Sequence, residues 1–228
     1  MLESLMSDYR MAIVPVTVFQ QNCTVMWHTG TKRAVIVDPG GEVGRILDLL
    51  EAQELQVETI LLTHGHLDHA GGAEAARGVI NEAYERLGWA KVPVLGPDER
   101  DAPLLAQIEA QAARMGLHGL VNVVPDRYLT EGEVIETIGL SFEVLHCPGH
   151  SPGHVVFVEK TARMAFVGDV LFKGSVGRTD FDYGDHDALI SSIKTKLLPL
   201  GDDIRFICGH GDGSSFGAER VGNPFLQD

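Results

Sequence analysis

A chain of 228 residues with 44% hydrophobic and 22% charged side chains has the make-up of one ordinary globular domain. Eighteen basic against 32 acidic residues leave a net charge of −14, which argues against a protein that grips nucleic acid or anionic lipid through clustered Lys and Arg. Three cysteines, Cys23, Cys147 and Cys208, are too few for a disulfide framework and favour a reducing, cytoplasmic setting.

Residues 1–10 carry Glu3 and Asp8, lack the positive start of an export signal, and read as a frayed leader before a domain spanning 11–228. Met11–Phe19, Asn22–His28 and Arg33–Asp38 are β-branched-rich runs and predict three strands. Asp38-Pro39-Gly40-Gly41 ends them, and Val43, Ile46, Leu47, Leu49 and Leu50 follow at helical spacing. Glu58–Thr63 is a short apolar strand running into His64-Gly65-His66-Leu67-Asp68-His69. Gly71–Leu87 predicts a helix, Val92–Leu95 a strand and Glu99–Met115 an Ala/Gln-rich helix. Further strands are predicted at Leu140–His146, His154–Val158, Met164–Val167 and Ile204–Cys208, with an amphipathic helix at Asp187–Leu198. Strand-rich halves with helices outside make an α/β sandwich in a single domain.

Polar ligands stand where strands end. His64, His150, Asp169 and His210 each follow an apolar run and a Gly or tight turn, and strand ends at one sheet edge converge on a rigid scaffold. With His66, Asp68 and His69 the inventory is five imidazoles, two carboxylates and no thiolate. One tetrahedral zinc uses about four ligands, so seven donors predict two divalent ions. Two such cations repel at ~332/(ε·r) kcal/mol per unit charge pair, and an anionic bridge must lie between them. Asp169, from a separate strand, is the candidate bridge. The N/O donor set suits Zn and leaves Fe or Mn open.

With these motifs in place, the chain resembles the metallo-β-lactamase superfamily, and within it the short, single-domain bacterial glyoxalase II type (hydroxyacylglutathione hydrolase). The resemblance rests on Val37-Asp38-Pro39-Gly40-Gly41, Thr63-His64-Gly65-His66-Leu67-Asp68-His69, Cys147-Pro148-Gly149-His150 and Gly168-Asp169. Gly177-Arg178-Thr179-Asp180, Gly209-His210-Gly211 and Asn223-Pro224-Phe225-Leu226 extend it. It implies an αββα sandwich, with His64, His66 and His150 on the first metal, Asp68, His69 and His210 on the second, and Asp169 on both. It also implies hydrolysis of S-(2-hydroxyacyl)glutathione by a metal-bridging hydroxide, with Asp68 and Asp169 in catalytic positions. On this resemblance no counterpart is expected of the helical C-terminal domain with which larger glyoxalase II enzymes contact glutathione, which leaves the thiol side of the substrate open.

A metal-held water ionises near pH ~7 rather than ~15.7, and a thiolate leaves from a thiol of pKa ~8.5 without a strong acid. Thioesters, esters and lactones are therefore favoured over amides. The alternatives are a lactonase or broader thioesterase, and a mono-iron persulfide dioxygenase, which would abandon the second site. Lys173 and Arg178, in a Gly-rich segment, are candidate contacts for a substrate carboxylate. His154 reads as a neighbour of the ligands rather than one of them, and Asp38 as either a hydrogen-bond partner of a ligating imidazole or a cap for the helix after Gly41. The expected partner is a small-molecule thioester, with neither nucleic acid nor membrane.

Overall fold

A computed structural model describes residues 7–227. The first sheet joins β1 (Tyr9–Val16), β2 (Gln21–His28), β3 (Arg33–Val37), β4 (Gln56–Leu61) and β5 (Val94–Leu95) in that order. Its first three strands are antiparallel and its last three parallel. In the second sheet β6 (Val134–Thr137), β7 (Leu140–His146), β8 (Val155–Glu159) and β9 (Met164–Gly168) form an antiparallel meander. It is extended by β12 (Arg205–Cys208), parallel to β9, and by β13 (Ser214–Ser215) at the edge. A separate hairpin, β10 (Leu171–Phe172) with β11 (Ser175–Val176), stands apart from both.

The layers follow from side-chain alternation along each strand. Val35 and Val37 of β3 face Phe142, Val144, Phe157 and Phe166 of the other sheet, forming a core between the sheets. Ala34 and Ile36 point the opposite way, onto helices α1 (Val43–Ala52) and α3 (Ala73–Leu87). In the second sheet Val156, Val158, Ala165 and Val167 meet Leu189 of α6 (His186–Ser192), with Ile193 and Leu197 just beyond it and Phe216 of α7 (Phe216–Gly222). Helix, sheet, sheet, helix is the αββα order expected.

Some boundaries differ from the sequence reading. Tyr9 and Arg10, placed in the leader, belong to β1, and the Tyr9 hydroxyl donates to the Ile138 carbonyl at 2.9 Å; residues 1–6 lie outside the described residues. The helix expected over Gly71–Leu87 begins at Ala73 as α3, and a separate short turn, α2 (Leu67–Ala70), precedes it within the ligand loop; between the two the Gly72 amide donates to the Pro39 carbonyl at 2.9 Å. Glu99–Met115 breaks into a 3₁₀ turn (Glu99–Asp101), α4 (Ala102–Leu105) and α5 (Ile108–Arg114). The helix expected to reach Leu198 gives way after Ser192 to a wider turn that keeps Ile193 and Leu197 buried, before Pro199.

Candidate metal centre

The chain leaves β3 at Asp38, β4 at Thr63-His64, β9 at Asp169 and β12 at Gly209-His210, all at one edge of the sandwich. Backbone hydrogen bonds join the two sheets there. Val155 N–H donates to Thr63 O (2.8 Å) and Asn22 N–H to Gly209 O (2.7 Å), while Gly209 N–H reaches Gly168 O (2.8 Å). Gly209 is required at this seam, because a Cβ on it would run into the Asp169 carboxylate and the His69 ring.

Each of the five imidazoles has one ring nitrogen engaged on an outer partner and the other turned inward. His64 Nδ1 lies 3.0 Å from Thr63 Oγ1, whose own proton goes to Asp38 Oδ2 at 2.6 Å. His150 Nδ1 is 2.8 Å from the Arg178 carbonyl, and His66 Nε2 is 2.8 Å from Tyr183 Oη. His69 Nδ1 meets Asp38 Oδ2 at 2.9 Å, and His210 Nδ1 meets the Phe19 carbonyl at 3.1 Å. Outer partners of this kind fix tautomer and ring orientation at metal sites.

The inward atoms fall into two groups. His64 Nε2 and His150 Nε2 lie 3.0 and 2.9 Å from His66 Nδ1. His210 Nε2 lies 3.3 Å from Asp68 Oδ2 and 3.4 Å from His69 Nε2. In each trio, His64/His66/His150 and Asp68/His69/His210, the donor atoms are all within 4.8 Å of one another. Asp169 sits between them, Oδ1 at 3.3 Å from His69 Nε2 and Oδ2 at 3.5 Å from His150 Nε2 and 3.6 Å from His210 Nε2.

Electrostatics sort the same groups. Burial drives the His64 pKa well below its ordinary value and that of His66 down to about 3, and it lowers His150 as well. These three rings are neutral and present lone pairs at neutral pH. Burial also opposes a charge on His69 and His210, but the carboxylates of Asp169 and Asp68 outweigh it and raise both. Asp169 is raised by burial and pulled down further by His69, His150 and His210, so it stays ionised.

Divalent ions fit this arrangement on a structural ground. Asp169 Oδ1 is buried and lacks a hydrogen-bond partner although His69 Nε2 is near. With His69 Nδ1 engaged on Asp38, its Nε2 is the atom that faces Asp169, and a cation bound between Nε2 and Oδ1, in place of a proton on the ring, would satisfy both. Thiolates play no part: Cys208 Sγ bonds to the His210 and Asp212 carbonyls at 3.1 and 3.3 Å, and burial raises its pKa to about 11.

The seven donors predicted from spacing come together. His154 is held apart from them: its Nε2 accepts the Asp169 amide at 3.0 Å and its ring stacks on His64 at 4.6 Å. A cavity of about 690 Å³ opens over the donors, with Phe19, Met115, Phe172, Val176, Phe181 and Tyr183 among its walls. Arg178 lines it and is paired with Asp180 at 2.6 and 2.7 Å, whereas exposed Lys173 pairs with Asp212 at 3.3 Å.

Sequence reasoning missed Asp101. Fully buried, it accepts the Gly65 amide (2.8 Å) and the Ser151 hydroxyl (2.7 Å) on Oδ2, and the Gly153 amide (2.6 Å) on Oδ1. One carboxylate thus ties the His64-Gly65-His66 loop of the first sheet to the His150 loop of the second. Burial raises its pKa, and the three donors oppose that rise. In sequence it is the last residue of Asp98-Glu99-Arg100-Asp101, which looks like a solvated helix start.

Comparison with known proteins agrees with this geometry. A curated relative, "Hydroxyacylglutathione hydrolase GloC" of Haemophilus influenzae, is 47% identical over 94% of this chain and 96% of its own. "Probable metallo-hydrolase YqgX" of Bacillus subtilis is 35% identical over 85% and 87%. Among solved structures, the BLEG-1 B3 metallo-beta-lactamase superposes with a TM-score of 0.84 at 33% identity, covering 96% of this chain and all of that one. TTHA1623 in a di-iron-bound form superposes at 0.78 and 38% identity, covering 94% and 100%. The family model of the metallo-beta-lactamase superfamily matches residues 16–210, and this chain, with its divalent-metal site at the shared edge of two sheets, belongs to that superfamily of metal-dependent hydrolases.

Proposed function

We propose that the protein hydrolyses S-(2-hydroxyacyl)glutathione thioesters such as S-D-lactoylglutathione, releasing glutathione and a 2-hydroxy acid. The observation that carries this reading is the convergence of five oriented imidazoles and two carboxylates at the floor of an open cavity, in a chain 47% identical to a hydroxyacylglutathione hydrolase. His64, His66 and His150 would hold one divalent ion and Asp68, His69 and His210 a second, with Asp169 facing both. All-N/O donors favour zinc, with iron or manganese also accommodated.

When bound, the ions supply an acidified water and polarise the acyl carbonyl. The protein's own part is to keep His64, His66 and His150 neutral by burial and Asp169 ionised, so that these four donors are ready at neutral pH, while His69 and His210, raised by the neighbouring carboxylates, would give up a proton as an ion binds. Tyr183, Asp38 and the Arg178 and Phe19 carbonyls hold the rings in place. The Arg178 guanidinium, 4.6 Å from the centre of the Phe181 ring, stands where it can exchange Asp180 for a carboxylate of the thiol arm. The thiolate product needs no strong acid to depart.

A small-molecule thioester, rather than nucleic acid or membrane, is the partner that the acidic surface and the cavity support. Among the described residues no helix is long and apolar enough to cross a membrane. Three buried free thiols suit the reducing cytoplasm. The test is metal analysis beside thioester hydrolysis. Expected are two ions per chain and turnover of lactoylglutathione that His66→Ala reduces by at least ~100-fold. A metal-loaded protein with no turnover above that variant would overturn the assignment.

A further inference from the structure

Phe172, Ser175 and Val176, which wall the cavity on the His210 side, come from the β10–β11 hairpin, and neither main sheet pairs with it. The Phe172 and His210 rings are 6.4 Å apart between centres. Leu171 and Val176 pack the hairpin into the core, and its turn is bound by side chains of α7 and the residue after it. Glu219, on α7, accepts the Gly174 amide on Oε2 at 2.7 Å. Asn223, just past α7, donates through Nδ2 to the Ser175 carbonyl at 2.9 Å and to the Phe172 carbonyl at 3.4 Å. The two clamp residues also bind each other, Asn223 Nδ2 to Glu219 Oε2 at 2.9 Å. Both are buried, Glu219 at 3% exposure and Asn223 at 0%.

Buried polar side chains are costly unless satisfied, and these two direct three hydrogen bonds to the backbone at the tip of a hairpin whose Leu171 and Val176 are packed in the core. We infer that Glu219 and Asn223 are positioning residues for substrate selection: they set the distance of the Phe172 wall from the metal centre, and with it the size of group admitted there. The inference deepens the thioester assignment and rests on it, but the clamp itself is measurable without turnover.

Asn223→Ala and Glu219→Ala should speed amide hydrogen exchange over residues 171–176 by at least ~10-fold, with metal content unchanged. They should raise KM for lactoylglutathione at least ~5-fold while kcat stays within ~2-fold, and shrink the preference between lactoyl and a bulkier acyl thioester. Glu219→Gln keeps an oxygen for the Gly174 amide, folds with the same shape, and should recover wild-type exchange and most of KM. Adding Asn223→Ala to Phe172→Ala should cost less than the sum of the two, since both act on one wall. Unchanged exchange, a loss of metal, or a fall in kcat at constant KM would each overturn the proposal. A wild-type protein that protects the hairpin but turns over no thioester overturns the substrate assignment instead.

Discussion

Tyr183 Oη is the outer partner of His66, while its ring stacks on Phe181 at 5.2 Å. Tyr183→Phe keeps the stack and removes the partner. Metal affinity should fall by ~10-fold or more, as for other outer partners of metal-bound imidazoles, and competition with a chelator of known affinity reads it. Asp101→Ala leaves two backbone amides and a hydroxyl without their acceptor. At about 1–3 kcal/mol for each buried group stranded, stability should drop by about 3 kcal/mol or more, measured as a lower urea midpoint at unchanged slope. The seven donors were legible in the sequence because four of them, His64, His150, Asp169 and His210, follow apolar runs and the other three share the His64-Gly65-His66-Leu67-Asp68-His69 motif. Asp101 was not singled out, and Tyr183 was read only as a candidate pocket wall, because their roles arise from which loops face each other, and a local pattern of Asp-Glu-Arg-Asp or Phe-Asp-Tyr does not encode that.

At the scale of elements, legibility tracked length and periodicity. Strands such as Leu140–His146 and Arg33–Val37 alternate cleanly or are apolar throughout, and were found within a residue or two. The four-residue β6 and the two-residue β10 and β11 offer too few positions for a period to show. The tight link between β6 and β7 depends on Ile138 and Gly139, both at positive φ, +52° and +82°. A Cβ on Gly139 would strain that turn and approach Tyr9 Oη at 3.1 Å. Gly139→Ala should therefore destabilise the protein by about 1–2 kcal/mol, seen in equilibrium unfolding with metal content unaltered.

For the whole molecule, the donors lie where the sheets meet, so metal binding and folding are linked. Ions that bind only the folded chain stabilise it by RT ln(1 + [L]/Kd), about 2.7 kcal/mol per site at a hundredfold excess over Kd. Chelation should lower Tm, and restoring metal should raise it in a concentration-dependent way; calorimetry with and without a chelator checks both. A sandwich with helices outside was legible from the segregation of strands and helices, and the αββα order from the family resemblance, whereas the sheet order was not. It depends on pairings such as β9 with β12, separated by some 40 residues of chain and invisible to local pattern.

Asp38 has a wider consequence. Its Oδ2 receives the His69 imidazole directly and the His64 imidazole through the Thr63 hydroxyl, while Oδ1 takes the Thr63 amide. A single side chain therefore steadies one donor from each half of the centre. A descendant that shed either ion would still need this aspartate to keep the survivor in register, so Asp38 should outlast some of the ligands themselves when the chemistry drifts.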